Sequence, residues 1–234
     1  MKKIFFICLF LTILLVFSCS ARINGSLSTD GSASMSINVS LGSRITALLR
    51  TMAAVGGQAD GGVIDGEAIS RSINGAPGVT SVSLRNTSPS AIEGTIRISQ
   101  IGDFLAGTGG GGFVNFEQSS SGGRCVININ RTNGHLIIKQ LSPDIEMVLN
   151  ALMAPIVTND EMTKAEYLSL IEVFYNKPIS DEIAGSRIRA SIEFPGNITN
   201  IRGGTYSGRR AEFDIALVDL LVLESPVTVE VRWR

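Results

Sequence analysis

The chain has 234 residues, a formal net charge of −1 and a pI near 5.9. That length is enough for one substantial core or two small ones. The faintly acidic balance excludes the clustered basic surface that nucleic-acid binding asks for.

The chain opens on Lys2 and Lys3, and Ile4 to Phe17 is an almost unbroken apolar run. Leu15-Val16-Phe17-Ser18-Cys19 then ends the run on a small residue and a cysteine. A charged start, an apolar middle and a small-residue exit are the three parts of an export signal. The run is shorter than the roughly 20 residues of a bilayer span. The segment resembles a bacterial lipoprotein signal with its lipobox, which implies cleavage after Ser18 and lipid on Cys19. Acyl chains add about 0.8 kcal/mol of membrane affinity per buried methylene, so lipid on Cys19 would hold the protein on a membrane without a spanning helix. The expected place is the cell envelope, at the outer membrane or periplasmic face in a cell with two membranes.

The expected organisation is a signal at 1–18, a lipidated N-terminus and short tether at 19–30 leading into a first strand through Ile23 and Leu27, and a single domain at 31–234 with a helical segment at about 136–179. Cys8 leaves with the signal and Cys19 is taken by lipid, so Cys125 stands alone and no intrachain disulfide or cysteine metal cluster can form. In Cys125-Val126-Ile127-Asn128-Ile129-Asn130 the cysteine shares a strand face with Ile127 and Ile129, which predicts a buried structural thiol.

Asp30-Gly31 is a hairpin turn signal. After it Ala33, Met35, Ile37, Val39 and Leu41 alternate with Ser32, Ser34, Ser36, Asn38 and Ser40. This period of two predicts a strand with one buried and one wet face. A helix capped by Ser43 is expected to run to about Val55, with Ile45, Leu48, Leu49 and Met52 on its apolar stripe. A second, shorter helix is expected at 65–74, ended by Gly75 and Pro77. Val82 and Leu84, then Ile92, Ile96 and Ile98, mark two strands. Ile101 to Ala106 reads as one helical turn, and 113–117 with 124–130 as a hairpin.

Ser142-Pro143-Asp144 is a helix start, followed by Ile145 to Val157, which is apolar on nearly every side. Thr163 and Glu166 have capping-box spacing. They open a helix striped by Leu168, Ile171, Phe174 and Tyr175, which Lys177-Pro178 is expected to close. Strands return at 188–194 and 211–215, a short helix or turn is expected at 216–223, and Val227, Val229, Val231 and Trp233 alternate up to Arg234. The resulting fold class is α+β, an antiparallel sheet of N- and C-terminal strands packed against helices from the middle of the chain. The last strand is expected to have early strands as neighbours.

Ile192-Glu193-Phe194-Pro195-Gly196-Asn197-Ile198-Thr199, then Gly203-Gly204, Gly208 and the closing Val229-Glu230-Val231-Arg232-Trp233, form a recognisable layout. It resembles the C-terminal half of the LppM-type domain of bacterial lipoproteins, and Leu27-Ser28-Thr29-Asp30-Gly31-Ser32 looks like the start of that domain. The resemblance implies a membrane-tethered α+β domain, with the lipid or glycolipid binding proposed for a mycobacterial member. The resemblance does not extend over 136–179, which reads as a local elaboration.

The inventory for catalysis is thin. Gly107-Thr108-Gly109-Gly110-Gly111-Gly112 lacks the Lys-Ser/Thr of a P-loop. His135 is the single histidine and follows an Asn133-Gly134 turn, so a zinc site or a Ser-His-Asp triad would rest on it alone. The pairs Asp160/Glu161 and Asp181/Glu182 suit helix starts and surface better than acid–base work. Asn-x-Ser/Thr triplets at Asn38, Asn86 and Asn197 fit glycosylation only in a eukaryotic secretory setting, against which the bacterial-type signal argues.

The expectation is therefore a non-enzymatic protein without a cofactor or metal, and with no nucleic-acid partner. Its partners are the membrane, through lipid on Cys19, and a lipid-like or apolar ligand. Met147, Val148, Leu149, Leu152 and Met153 are the candidate ligand-binding residues, on a helix that either lies buried against the sheet or covers an apolar pocket. Methionines adapt to irregular apolar shapes and suit both readings. The alternative function is a structural or assembly factor that docks another envelope protein.

Overall fold

Asp30 Oδ1 accepts hydrogen bonds from the Ser32 amide at 3.0 Å and the Ser32 hydroxyl at 2.7 Å. Gly31, at φ 83°, completes the turn, since only glycine enters that region without a Cβ penalty. The turn joins β1 (Ser20–Leu27) to β2 (Ala33–Ser40), which pair antiparallel from Ser20↔Ser40 to Leu27↔Ala33. The computed structural model describes residues 20–55, 63–107, 112–138 and 143–234. Residues 1–19, including Cys19, lie outside it.

The remaining strands are β3 (Val79–Ser88), β4 (Ala91–Ile98), β5 (Val114–Ser119), β6 (Gly122–Ile129), β7 (Arg187–Glu193), β8 (Ile198–Arg202), β9 (Thr205–Ser207), β10 (Arg210–Ala216) and β11 (Val227–Trp233). A seven-stranded sheet runs β3-β4-β2-β1-β7-β10-β9, and a four-stranded sheet runs β5-β6-β11-β8. The chain is an α+β protein. Strands from both ends of the sequence share the larger sheet, as expected. They are antiparallel except for β1 and β7, which run parallel with Ser20 beside Arg187. Parallel neighbours need a long crossover, which the middle of the chain supplies.

Two expectations about the chain ends are corrected. The 19–30 tether is strand from Ser20 on: the first strand expected through Ile23 and Leu27 is Ser20–Leu27, which lies between β2 and β7 and hydrogen-bonds to both. The last strand does not join the early ones: β11 lies between β6 and β8. Aromatic packing accompanies that choice. Trp233 stacks on Phe194 at 4.9 Å and meets Phe116 of β5 at 6.1 Å, ring centre to ring centre.

The helices are α1 (Ser43–Val55), α2 (Gly66–Ile73), α3 (Ile101–Gly107), α4 (Arg131–Ile138), α5 (Pro143–Ala151), α6 (Pro155–Thr158), α7 (Lys164–Phe174), α8 (Lys177–Gly185) and α9 (Leu217–Val222). Asp65 caps α2 by accepting from the amides of Glu67 and Ala68. Thr163 and Glu166 form the anticipated capping box. Lys177-Pro178 opens α8 rather than only closing α7. Asn176 caps that new start through Ile179 N, and a first-turn proline has no amide to lose.

The continuous helix expected over 145–157 is broken. α5 ends at Ala151, Met153 adopts φ 48°, and Pro155 begins α6. Proline disfavours helical geometry in the residue before it. Two tyrosines of the α7 region take up carbonyls freed at the break. Tyr167 Oη donates to Leu152 O at 3.0 Å, and Tyr175 Oη donates to Ala151 O.

Three buried clusters result. Helices α1, α5, α7, α8 and α9 pack on one another around Tyr167, Ile171 and Ile183, with Leu41 and Ala216 at the strand ends beside them. The small sheet packs on β1, β7 and β10 through Val231, Trp233, Ala211 and Phe213. Helix α2 packs on β3 and β4 through Ile69, Leu84 and Ile92.

Candidate functional site

The inner face of the large sheet is the best candidate for a site. One row across it reads Leu84, Gly94, Ile37, Ile23, Ala190 and Phe213, each residue in register with the next. Leu84 belongs to the cluster under α2 and Phe213 to the cluster under the small sheet. Between those two cores lie Ile23, Met35, Ile37 and Ile188. They are half-buried and belong to none of the three clusters of described residues. Apolar side chains in the middle of a sheet normally join its core, so this band is the unusual feature of the fold. Gly25 carries no side chain, and an added Cβ would come within 2.9 Å of Ile192 Cδ1.

The candidate residues on the apolar helix are placed differently. Val148 and Leu152 are buried among Tyr167, Ile171, Ile45 and Leu49, and Leu149 and Met153 pack against the same cluster. The Met147 side chain lies outside the described residues. These contacts are helix on helix, at the end of the sheet where β2 leaves and β7 enters. The residues in the central band escaped sequence reasoning. Their alternation was visible, but which strands become the middle of the sheet is not a local property.

The outer face of the same sheet is polar. A groove of about 510 Å³ crosses β1, β7 and β10 there, lined by Arg22, Asn24, Arg189 and Ser191 with Ile23, Ala190 and Phe213 between the polar rows, Glu212 and Asp214 on its far side and Gly203 to Thr205 as a wall. Arg187 Nε donates to Asp214 Oδ1 at 2.8 Å, and Arg189 Nε stands 3.5 Å from Oδ2. The Arg187 hydrogen bond holds the Asp214 carboxyl below the usual carboxylate range.

The remaining chemistry-bearing residues are dispersed. Asp181 pairs with Lys177, Glu161 with Arg131, and Glu182 bonds to backbone amides of α1. Among the described residues no three His, Cys, Asp or Glu side chains are placed to hold a metal. The His135 side chain and most of the Gly107–Gly112 loop lie outside the described residues. Cys125 is partly buried in β6 against the Trp233 cluster, and burial pushes its thiol up to about 11.

No family model and no curated protein matches the chain. Among solved structures it is similar to the NMR structure of the folded domain of the LppM protein from Mycobacterium tuberculosis. The likeness covers 92% of this chain and 88% of that one, at 11% identity and a TM-score of 0.39. At that score it carries no argument about function. Among the described residues no helix is long and apolar enough to cross a membrane.

Proposed function

We propose that this is an exported, lipid-anchored, non-enzymatic protein that holds a lipid-like or other apolar ligand against the inner face of its large sheet. The observation that carries the ligand is the half-buried band of Ile23, Met35, Ile37 and Ile188 between two closed cores. Ligand pockets are mostly apolar, and this band, flanked by an α2 core and a small-sheet core, supplies an apolar lining. The anchor rests on the sequence: Lys2-Lys3, the apolar run to Phe17, and Ser18-Cys19.

Two measurements on purified protein test the reading. Intact mass should find residues 1–18 removed and acyl chains on Cys19; a chain still beginning at Met1 removes the anchor. Organic-solvent extraction of protein made from Ser20 onward should release a bound lipid. Ile37→Trp, which fills the band, should lower that yield while the fold is kept. Protein that yields no lipid has no apolar ligand of this kind.

A second reading, docking of another envelope protein, is favoured by a separate observation. Val173 and Phe174 at the end of α7 are 81% and 63% exposed. Exposed apolar neighbours of this sort mark interaction surfaces when they form a patch. Recovery of one defined envelope protein on wild-type bait, lost with Phe174→Asp, would favour it.

A further inference from the structure

We infer that the groove on the outer face of the large sheet is a phosphate site, and that its ligand is the phosphate of a lipid headgroup held by Arg22 and Arg189. The choice of a headgroup over free phosphate rests on the lipid-anchor reading above; the phosphate chemistry does not.

Arg22 and Arg189 are Cα partners across the parallel β1–β7 pair. Neighbouring strands lie about 4.8 Å apart, so two like charges stand side by side on one sheet face, an arrangement that is unfavourable without an anion between them. The nearest acid does not resolve this. Asp214 already serves Arg187 at 2.8 Å and Arg189 at 3.5 Å, and Arg22 has no hydrogen bond or ion pair among the described residues. Asp214 and Glu212 together set two carboxylates against the three guanidinium groups of Arg22, Arg187 and Arg189.

The shape of the place agrees with its charge. The two arginines open into the groove of about 510 Å³, floored by the small polar side chains of Asn24 and Ser191. Guanidinium forks match the planar spacing of phosphate oxygens and bind them bidentately. Glu212, in register with Ser191 one row further along, repels a second phosphate and accepts hydrogen bonds from a headgroup's hydroxyl or ammonium. A phosphodiester carrying a small polar substituent fits this order of charges.

The location supplies the source. β1 begins at Ser20, so Arg22 is three residues from Cys19 and at most about 10 Å away along the chain. A cysteine acylated at that position would keep Arg22 within about 10 Å of the anchored residue, close enough to reach the headgroup layer.

The test uses the full-length protein in non-ionic detergent and three water-soluble probes: glycerophosphoglycerol, inorganic phosphate and glycerol. Calorimetry should find glycerophosphoglycerol bound and glycerol not bound. Arg22→Gln and Arg189→Gln should each weaken it about tenfold, the size of a lost charge-assisted contact. Asp214→Asn, which releases Arg187 and Arg189, should tighten it. Arg50→Gln, on an exposed turn of α1, should change nothing, and binding should weaken with added salt. Binding unaffected by Arg22→Gln, or lost equally with Arg50→Gln, overturns the site. Inorganic phosphate binding more tightly than glycerophosphoglycerol overturns the headgroup assignment. Intact mass and extracted lipid from the same preparation report on the anchor and the apolar ligand separately, and neither changes the comparison between wild type and Arg22→Gln.

Discussion

The carboxylate of Glu182 accepts the backbone amide of Ile45 at 2.9 Å, across 137 residues of sequence. Its second oxygen takes the Arg44 amide at 3.1 Å. The first turn of α1 is thus closed by a side chain from α8, not by the Ser43 cap that its position suggests. A helix leaves its first four amides unpartnered, and a carboxylate there also meets the positive end of the helix dipole. Glu182 is buried, so its removal strands the amides away from water. Glu182→Ala should cost about 2–3 kcal/mol, and Glu182→Gln less. An added Cβ at Gly42 would fall 2.2 Å from the Glu182 carboxyl. Gly42→Ala should therefore act through the same contact, and the two losses should be far from additive in urea melts. Full additivity would refute the shared contact.

Tyr167 is the second long-range support. It is fully buried and its hydroxyl meets Leu152 O at 3.0 Å, just past the end of α5. Burial raises its phenol, so it remains a donor well into the alkaline range. Tyr167→Phe leaves a buried carbonyl without its partner and should cost about 1–3 kcal/mol, read from thermal or denaturant unfolding. A neutral outcome would mean that the chain break at Met153 does not depend on this bond.

Cys125 makes a pH prediction. Burial lifts its thiol from 9.0 to about 11. The folded state then binds the proton more tightly than the unfolded state does, so the stability difference is complete below pH 9. It declines as pH rises from 9 towards 11. Unfolding free energy should fall over that interval, and Cys125→Ala should flatten the part of the fall that belongs to the thiol. In native protein at pH 8 the thiol should react slowly with disulfide reagents and become reactive on unfolding.

Trp233 is the single tryptophan and lies buried over Gly123, its register partner. An added Cβ at Gly123 would stand 2.2 Å from Trp233 Cζ2. Gly123→Ala should shift the tryptophan emission to the red and cost about 1–3 kcal/mol by overpacking. Trp233→Ala, which empties the Phe194–Phe116 cradle, should cost about 3–5 kcal/mol. Unchanged emission in Gly123→Ala would rule out the close approach.

Features encoded within a few residues were legible from the sequence: the Asp30-Gly31 turn, the serine-spaced strand β2, the short helix near 65–74 and the Thr163–Glu166 box. Each is set by bonds among near neighbours, which need no knowledge of the rest of the chain. The break at 151–155 was not read from the sequence. Pro155 stands inside the stretch read as one helix, and the tyrosines that donate to the loose carbonyls lie 15 and 24 residues further on.

What the sequence by itself determined was the alternation of the strands and the apolar stripes of the helices, because periodicity is a local quantity. Only the tertiary structure decided which strands stand side by side. It put Ser20 beside Arg187, seated β11 on the β5–β6 hairpin, and made Ile23 and Ile37 the centre of an inner face while Arg22 met Arg189 on the outer one. Strand adjacency is chosen by closing long loops against the burial of whole faces, and no short window of residues contains that comparison.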